Sequence, residues 1–235
     1  MFMEGHFGKS PQSAGLEAKS KHHSARVLGG FPHKKEHAAG AVLLAEESLE
    51  GQGTPRILVS GWASRAQILP NGKCQIFGFL IPGDMICRAP ATLSVPPARV
   101  VAVTPGITAD IPANNFGESG VHSHFTAIEI AEGETYRLLH RQIVRLGHLS
   151  GVQRLADLLL EFQQRLSRAG FGHENSFPMP LTQEVLADAL GMSMVHINRC
   201  MQQLRQRNVI GCSEGEVVVL DSNHLIALAH GTTEI

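Results

Sequence analysis

Short apolar runs punctuated by turn residues up to Pro112, a helical stretch after Ser119 with apolar side chains three and four residues apart, and two short helices cornered at Gly191 predict an α+β chain. The expected order is an N-terminal antiparallel β-roll, jelly-roll-like, then a long helix, then a C-terminal winged helix-turn-helix. At 235 residues and 43% hydrophobic content the chain is long enough for more than one buried core. Its formal net charge of −1 rules out a globally basic surface, so a polyanion would have to meet a local patch. The one regional excess runs from Arg137 to Arg168, where Arg137, Arg141, Arg145, Arg154, Arg165 and Arg168 face only Asp157 and Glu161. By sequence this is either a basic patch or a solvated helical face.

Residues 1–30 are rich in Gly, Ser, His and Lys with little apolar periodicity, and a disordered tail is expected there. His22 and His23 read as solvated residues, because a metal site needs further ligands at fixed geometry. The β-roll is assigned to 31–118. Its strands are read at Ala41–Ala45, Ile57–Trp62, Ala66–Leu69, Cys74–Leu80, Val100–Val103 and Ile107–Ile111, following one another as a meander. Asn71-Gly72 signals a hairpin with a two-residue turn, since both residues accept a positive φ. A second corner is expected at Ile81-Pro82-Gly83-Asp84.

The long helix is assigned to 119–149. Phe125, Tyr136, Leu139, Ile143 and Leu146 give it a seam, alternating three and four from Tyr136 onward, of the kind that packs lengthwise on a second copy; a core-facing helix of one chain is the alternative, and Gly133 weakens the middle of the rod. The remaining segment, 150–235, holds a helix over Val152–Arg168 that buries Leu155, Leu158, Leu159, Phe162 and Leu166, then a loop rich in Asn, Ser and Pro.

The stretch Leu181–Ile210 reads as a helix-turn-helix. Thr182 caps a first helix that buries Val185, Leu186 and Leu190; Gly191 supplies the turn; Ser193 caps a second helix that buries Ile197, Met201 and Leu204. Met194, Val195, Asn198, Arg199 and Gln202 then face outward, a surface suited to a major groove. Two apolar runs around Ser213-Glu214-Gly215 make a wing, and Leu225–Ala229 a short closing helix.

With SGWASRAQILPNGKCQIFGFLIPGDMI at Ser60–Ile86, RLADLLLEF at Arg154–Phe162 and the Leu181–Ile210 stretch in this order, the chain from about Phe31 to Leu228 resembles the Crp/Fnr family of bacterial transcription regulators. The resemblance implies a homodimer that binds double-stranded DNA at a two-fold symmetric operator and contacts RNA polymerase. It implies that Arg199 reads a guanine through its bidentate fork. Met194 and Val195 stand where the best-known members carry an arginine and a glutamate, so the operator of those members is not carried over. His196, Asn198 and Arg199 are the expected polar contacts to bases, Val195 the partner for a thymine methyl, and Thr182, Gln183 and Ser193 the phosphate contacts.

On the sensory side, Cys87-Arg88 and Pro96-Pro97 occupy the places where cyclic-nucleotide binders of the family carry Gly-Glu and Arg-Ser. Proline offers neither charge nor an N–H, so cyclic-nucleotide independence is expected, which leaves room for an unknown small-molecule effector. Cys74, Cys87, Cys200 and Cys212 show no paired spacing and none precedes residue 74, so neither disulfides nor a metal or iron–sulfur cofactor is expected. No run approaches the length of a membrane span and the N-terminus lacks a signal-peptide core, so a cytoplasmic protein is expected.

Two rival readings remain. His122-Ser123-His124 beside a β-roll suggests a metal-dependent barrel enzyme, but a pair two residues apart on a helix diverges and no third ligand clusters with it, so catalysis is not expected. A dimeric interaction protein whose winged part binds protein is the other; steeply salt-dependent binding to duplex DNA argues against it.

Overall fold

The computed structural model describes residues 33–45, 54–87, 99–111, 120–173, 175–213 and 215–232, with side chains omitted at 120–127. The expected N-terminal tail, Arg88 and Pro96-Pro97 therefore lie outside the described residues, as do the side chains of His122, His124 and Phe125. The described chain falls into two compact units, one of 33–68 and 77–140, the other of 69–76 and 141–232.

The first unit is built on strands β1 (Lys34–His37), β2 (Val42–Leu44), β3 (Arg56–Ser60), β4 (Ala63–Ile68), the Phe77–Leu80 part of β5 (Cys74–Leu80), β6 (Met85–Ile86), β7 (Arg99–Ala102) and β8 (Gly106–Asp110), the first three residues of β5 grouping with the second unit. They form two four-stranded sheets of order β1-β8-β3-β6 and β2-β7-β4-β5. Leu43, Leu58, Ala63, Leu80, Ile86, Val100 and Ala102 form a buried cluster in this unit.

This is not the expected meander. The run Ile57–Trp62 is not one strand: the chain leaves the first sheet at Ser60 and enters the second at Ala63, turning at Gly61 with φ +82°. A Cβ on Gly61 would lie 2.5 Å from the Pro105 carbonyl oxygen, and one on Gly106 would lie 2.4 Å from that of Ser60. The two sheet-switching corners thus touch backbone to backbone, which only glycines permit. Val103 N donates to Trp62 O at 2.7 Å and Trp62 N to Thr104 Oγ1 at 2.9 Å, locking the corners together.

The β4–β5 turn also differs from expectation. Gly72 N donates to Leu69 O at 2.9 Å and Leu69 N to Lys73 O at 2.8 Å, enclosing a three-residue loop, Pro70-Asn71-Gly72. Only Gly72 is left-handed, at φ +79°. Pro70 is preset for the second position of an ordinary type I turn, which leaves Gly72 to supply the left-handed bulge residue; Asn71 instead accepts from Lys73 N at 3.1 Å. The corner at Ile81–Asp84 forms as expected: Asp84 N donates to Ile81 O at 3.0 Å, and Gly83 has φ +99°.

Helix α1 (Gly120–His148) runs unbroken through Gly133 for 29 residues, crossing from the first unit into the second. Helix α2 (Gly151–Arg168) starts where Ser150 N donates to the Gln153 side chain at 2.9 Å. Leu155, Leu158, Leu159, Phe162 and Leu166 are all at most 1% exposed, on the face the spacing required. The expected loop before the helix-turn-helix contains a strand, β9 (Ser176–Pro178), which completes a sheet of order β10-β11-β9 with the wing strands β10 (Ile210–Ser213) and β11 (Glu216–Val219). Three residues ending in proline show no period-two pattern; Phe177, 1% exposed and paired with Val217, is the residue that anchors them. Pro178 is tolerated because this is an edge strand. The last helix, α5 (Ser222–Ala229), begins earlier than expected because Asp221 caps it, accepting from His224 N at 2.9 Å.

The arginine excess resolves into an internal network. Arg145, only 2% exposed, donates to Asp157 Oδ2 at 2.6 Å and Glu161 Oε2 at 2.7 Å; Arg141 also holds Asp157, and Arg165 holds Glu161 at 3.1 Å. Arg154 donates to the carbonyls of Leu149 and Leu190. Of the six, Arg141, Arg145, Arg154 and Arg165 are therefore committed to holding α1, α2 and the next helix together, and they make neither the basic patch nor the solvated face that the sequence offered.

Candidate nucleic-acid interface

Helices α3 (Gln183–Leu190) and α4 (Met194–Gln206) form the expected pair. Thr182 Oγ1 accepts from Val185 N at 3.3 Å and Ser193 Oγ from His196 N at 3.2 Å, so each helix start has a donor satisfied by its cap. Each hydroxyl keeps its own hydrogen to donate, which is what a phosphate oxygen requires. Gly191 turns the corner at φ +63°. Val185, Leu186 and Leu190 are buried on α3, and Ile197, Cys200, Met201 and Leu204 on α4; Cys200 joins the core, which its small apolar thiol permits. Burial pushes the Cys200 thiol above its ordinary value, with Arg199 pulling the other way.

The outward face of α4 is as the spacing requires. Met194 and Val195 are 53% and 71% exposed, and Asn198, Arg199 and Gln202 are exposed beside them. Thr182, Gln183 and Ser193 are exposed at the two helix starts. His196 is exposed as well, with its ring against a neighbouring helix. A Cβ on Gly151 would fall 2.6 Å from His196 Nε2 and 3.0 Å from Met192 Sδ, so the imidazole lies against the start of α2, on the flank of α4.

Sequence reasoning overlooked two cations. Arg205 and Arg207 are exposed at the far end of α4, and the chain from Ser193 to Ser213 contains no acidic residue. Just past the helix end at Gln206, Asn208 takes φ +54°, a conformation asparagine tolerates better than most residues. With four of the six upstream arginines internal, this acid-free segment is the local cationic patch that a near-neutral chain needs for a polyanion. Scanning for runs free of Asp and Glu would have found it.

The residues expected to form a seam on α1 differ in exposure. Tyr136 and Ile143 are 64% and 68% exposed, and Ile130 and Val144 share that exposure at 69% and 54%. The rings of Tyr136 and His140 meet in a tilted arrangement, 4.4 Å between centroids and 43° between planes. Leu139 and Leu146 are half-buried instead; a Cβ on Gly191 would lie 3.6 Å from Leu146 Cδ2, so Leu146 packs on the α3–α4 corner.

Among the described residues no group of three or more His, Cys, Asp or Glu side chains is placed to hold a metal, and the four cysteines are free thiols. Among the described residues no helix is long and apolar enough to cross a membrane.

Comparison with known proteins bears on this geometry. The model of the Crp-like helix-turn-helix domain matches residues 153–228. The chain is 28% identical over 173 residues to the transcriptional activatory protein AadR of Rhodopseudomonas palustris, covering 73% of this chain and 72% of that one. It is 27% identical over 164 residues to the nitrogen fixation regulation protein FixK of Bradyrhizobium diazoefficiens, covering 69% and 68%. Among solved structures, FixK2 from Bradyrhizobium japonicum superposes with a TM-score of 0.69 at 17% identity, over 83% of this chain and 96% of that one. TTHB099, a CRP-family transcriptional regulator from Thermus thermophilus, gives 0.62 at 17% identity over the same shares.

Proposed function

From the premise that this chain belongs to the Crp/Fnr family of DNA-binding transcription regulators, we propose that it acts as a homodimer on a two-fold symmetric operator, each α4 entering a major groove. The observation that carries the proposal is the face of α4: exposed, free of acidic residues, and mounted on a buried, capped corner. Arg199 is the reader of guanine, Asn198 a second polar reader, and Val195 and Met194 the apolar surface for a thymine methyl. Thr182, Gln183 and Ser193 position the phosphates, with Arg205 and Arg207 adding charge. His196, exposed on the flank of α4 beside Gly151, is a further polar candidate.

Residues 31–118 act as the sensor-like part, 119–149 as the dimerisation helix and 150–235 as the DNA-binding part. Tyr136, His140 and Ile143 support the dimer, because they follow one exposed stripe at spacings of four, three and seven, with Ile130 and Val144 also exposed on the helix. Contact with RNA polymerase follows from the family, and the names of AadR and FixK favour a role in regulated transcription. The effector, if one is used, is not a cyclic nucleotide held in the family's manner, since Pro96-Pro97 replaces the anion-holding pair.

In vitro selection of bound sequences, followed by Arg199→Ala, tests the assignment. A two-fold symmetric site is expected, with about tenfold loss of discrimination at one symmetric G·C pair in the variant. If no symmetric site emerges, or the variant keeps the full preference, the reading fails. Titration with cyclic AMP is expected to give no heat of binding.

A further inference from the structure

The end of α3 is held in an unusual way. A helix leaves its last four carbonyls without partners inside the helix. Here Ala187 O is taken by the backbone, accepting from Met192 N at 3.1 Å and from the N–H of Gly191. The next three successive carbonyls each accept from a side chain of a different element. Gln75 Nε2, on β5, donates to Asp188 O at 2.9 Å; Gln142 Nε2, on α1, donates to Ala189 O at 2.6 Å; Arg154 Nη1, on α2, donates to Leu190 O at 3.1 Å.

Each of the three donors is itself held. Gln75 Nε2 also donates to Ile76 O at 2.9 Å, which fixes the plane of its amide. Gln142 Oε1 accepts from Arg145 Nη1, tying it to the buried ion-pair network. Arg154 Nε donates to Leu149 O at 2.8 Å, just before α2 begins. All of these residues belong to the second unit, including the hairpin segment that carries Gln75. A carbonyl fixed by a side chain that is fixed in turn has little freedom to tilt, and α4 follows α3 through only three residues.

We propose that Gln75, Gln142 and Arg154 are positioning residues for DNA recognition: by holding the carbonyls of Asp188, Ala189 and Leu190 they set the direction in which α4 projects. Of the three, Gln75 makes the clearest case, because it comes from the hairpin that precedes the reader by more than a hundred residues, donor and acceptor standing 113 positions apart. None of the three lies on the groove-facing side of α4, so their effect is on where the reader points and not on which base it reads. In a two-fold symmetric complex that direction sets the separation of the two reading helices, and so the spacing of half-sites the dimer accepts.

The proposal rests on the homodimeric operator reading above, and the experiment separates the two. Full-length wild type, Gln75→Glu and Gln75→Lys are titrated against three duplexes: the selected operator, the same operator with one base pair inserted at its centre, and an isolated half-site. Glutamate presents an acceptor to the Asp188 carbonyl, whereas lysine restores a donor. Gln75→Glu is expected to bind the selected operator about tenfold more weakly, to lie within about twofold of wild type on the half-site, and to prefer the selected spacing less strongly; Gln75→Lys recovers most of the loss. Thermal unfolding checks that both variants fold. An equal loss on operator and half-site, or no loss on either, overturns the positioning role while the dimer reading stands. If wild type itself distinguishes none of the three duplexes, the operator reading falls and the positioning role falls with it.

Discussion

Replacing Arg145 by methionine tests how the second unit is held together. In the native chain the guanidinium joins both buried carboxylates of α2, Asp157 at 2.6 Å and Glu161 at 2.7 Å, from a side chain with 2% exposure. Methionine keeps much of the aliphatic volume and removes the charge. Each carboxylate then retains one cation, Arg141 on Asp157 and Arg165 on Glu161. Removing one partner of a buried pair costs about 3–5 kcal/mol, and the remaining arginines place this case near about 3 kcal/mol. The pair Arg137–Glu134, with side chains 48% and 42% exposed, is the matched control: a solvent-screened pair is worth under about 1 kcal/mol. For a chain of this size the two variants are expected to lower the unfolding midpoint by roughly 6–12 °C and by no more than about 3 °C respectively. Denaturation followed by far-UV circular dichroism reads both, with the denaturant slope checking that the same surface unfolds. If Arg145→Met lies as close to wild type as Arg137→Met, the arginines are a solvated face after all and the network reasoning is wrong.

Other outcomes follow from the first unit and from the cysteines. Gly61→Ala places a Cβ against the Pro105 carbonyl oxygen at a positive φ, and a loss of about 3 kcal/mol is expected; Gly78→Ala, with nothing within 4 Å and no positive φ, should stay within about 0.5 kcal/mol. Equal effects of the two substitutions on chemical denaturation would contradict the close approach of the two corners. His37 bonds Thr108 Oγ1 at 2.8 Å, and its pKa is lowered by desolvation first and by Lys35 and Arg56 second. The unfolded state therefore binds the proton more tightly, so this residue's contribution is present above about pH 6.5 and is lost as pH falls toward the depressed folded value; His37→Gln should flatten the pH dependence of stability in that window. Burial raises the thiol pKa of Cys87 and Cys200, while Cys212 is exposed on the wing. Alkylation at neutral pH should mark Cys212 first, and mass mapping that found Cys200 first would show that the α3–α4 core opens readily.

Much of the reading head was legible in the sequence because it depends on local rules. Thr182, Gly191 and Ser193 act within one turn of their own positions, and the three-four spacing of Ile197, Met201 and Leu204 leaves α4 a single way to bury its apolar side. The strands of the roll were mostly found for the same reason, but their pairing was not: whether Ile57–Trp62 continues straight or switches sheets depends on how closely Gly61 meets Pro105, a contact between distant segments. β9 escaped notice because Phe177 is recognisable as a strand residue only beside Val217.

By itself, then, the sequence determined the order of elements, the buried and outward faces of α3 and α4, and the likeness to the Crp/Fnr family. Only the tertiary structure decided which arginines face inward, where the His196 ring rests, which apolar residues of α1 are left exposed, and which side chains hold the end of α3. The physical reason is range. Caps, turns and periodicity act over a few residues, whereas an arginine is buried or solvated according to whether a carboxylate from another element meets it, as Asp157 and Glu161 meet Arg145.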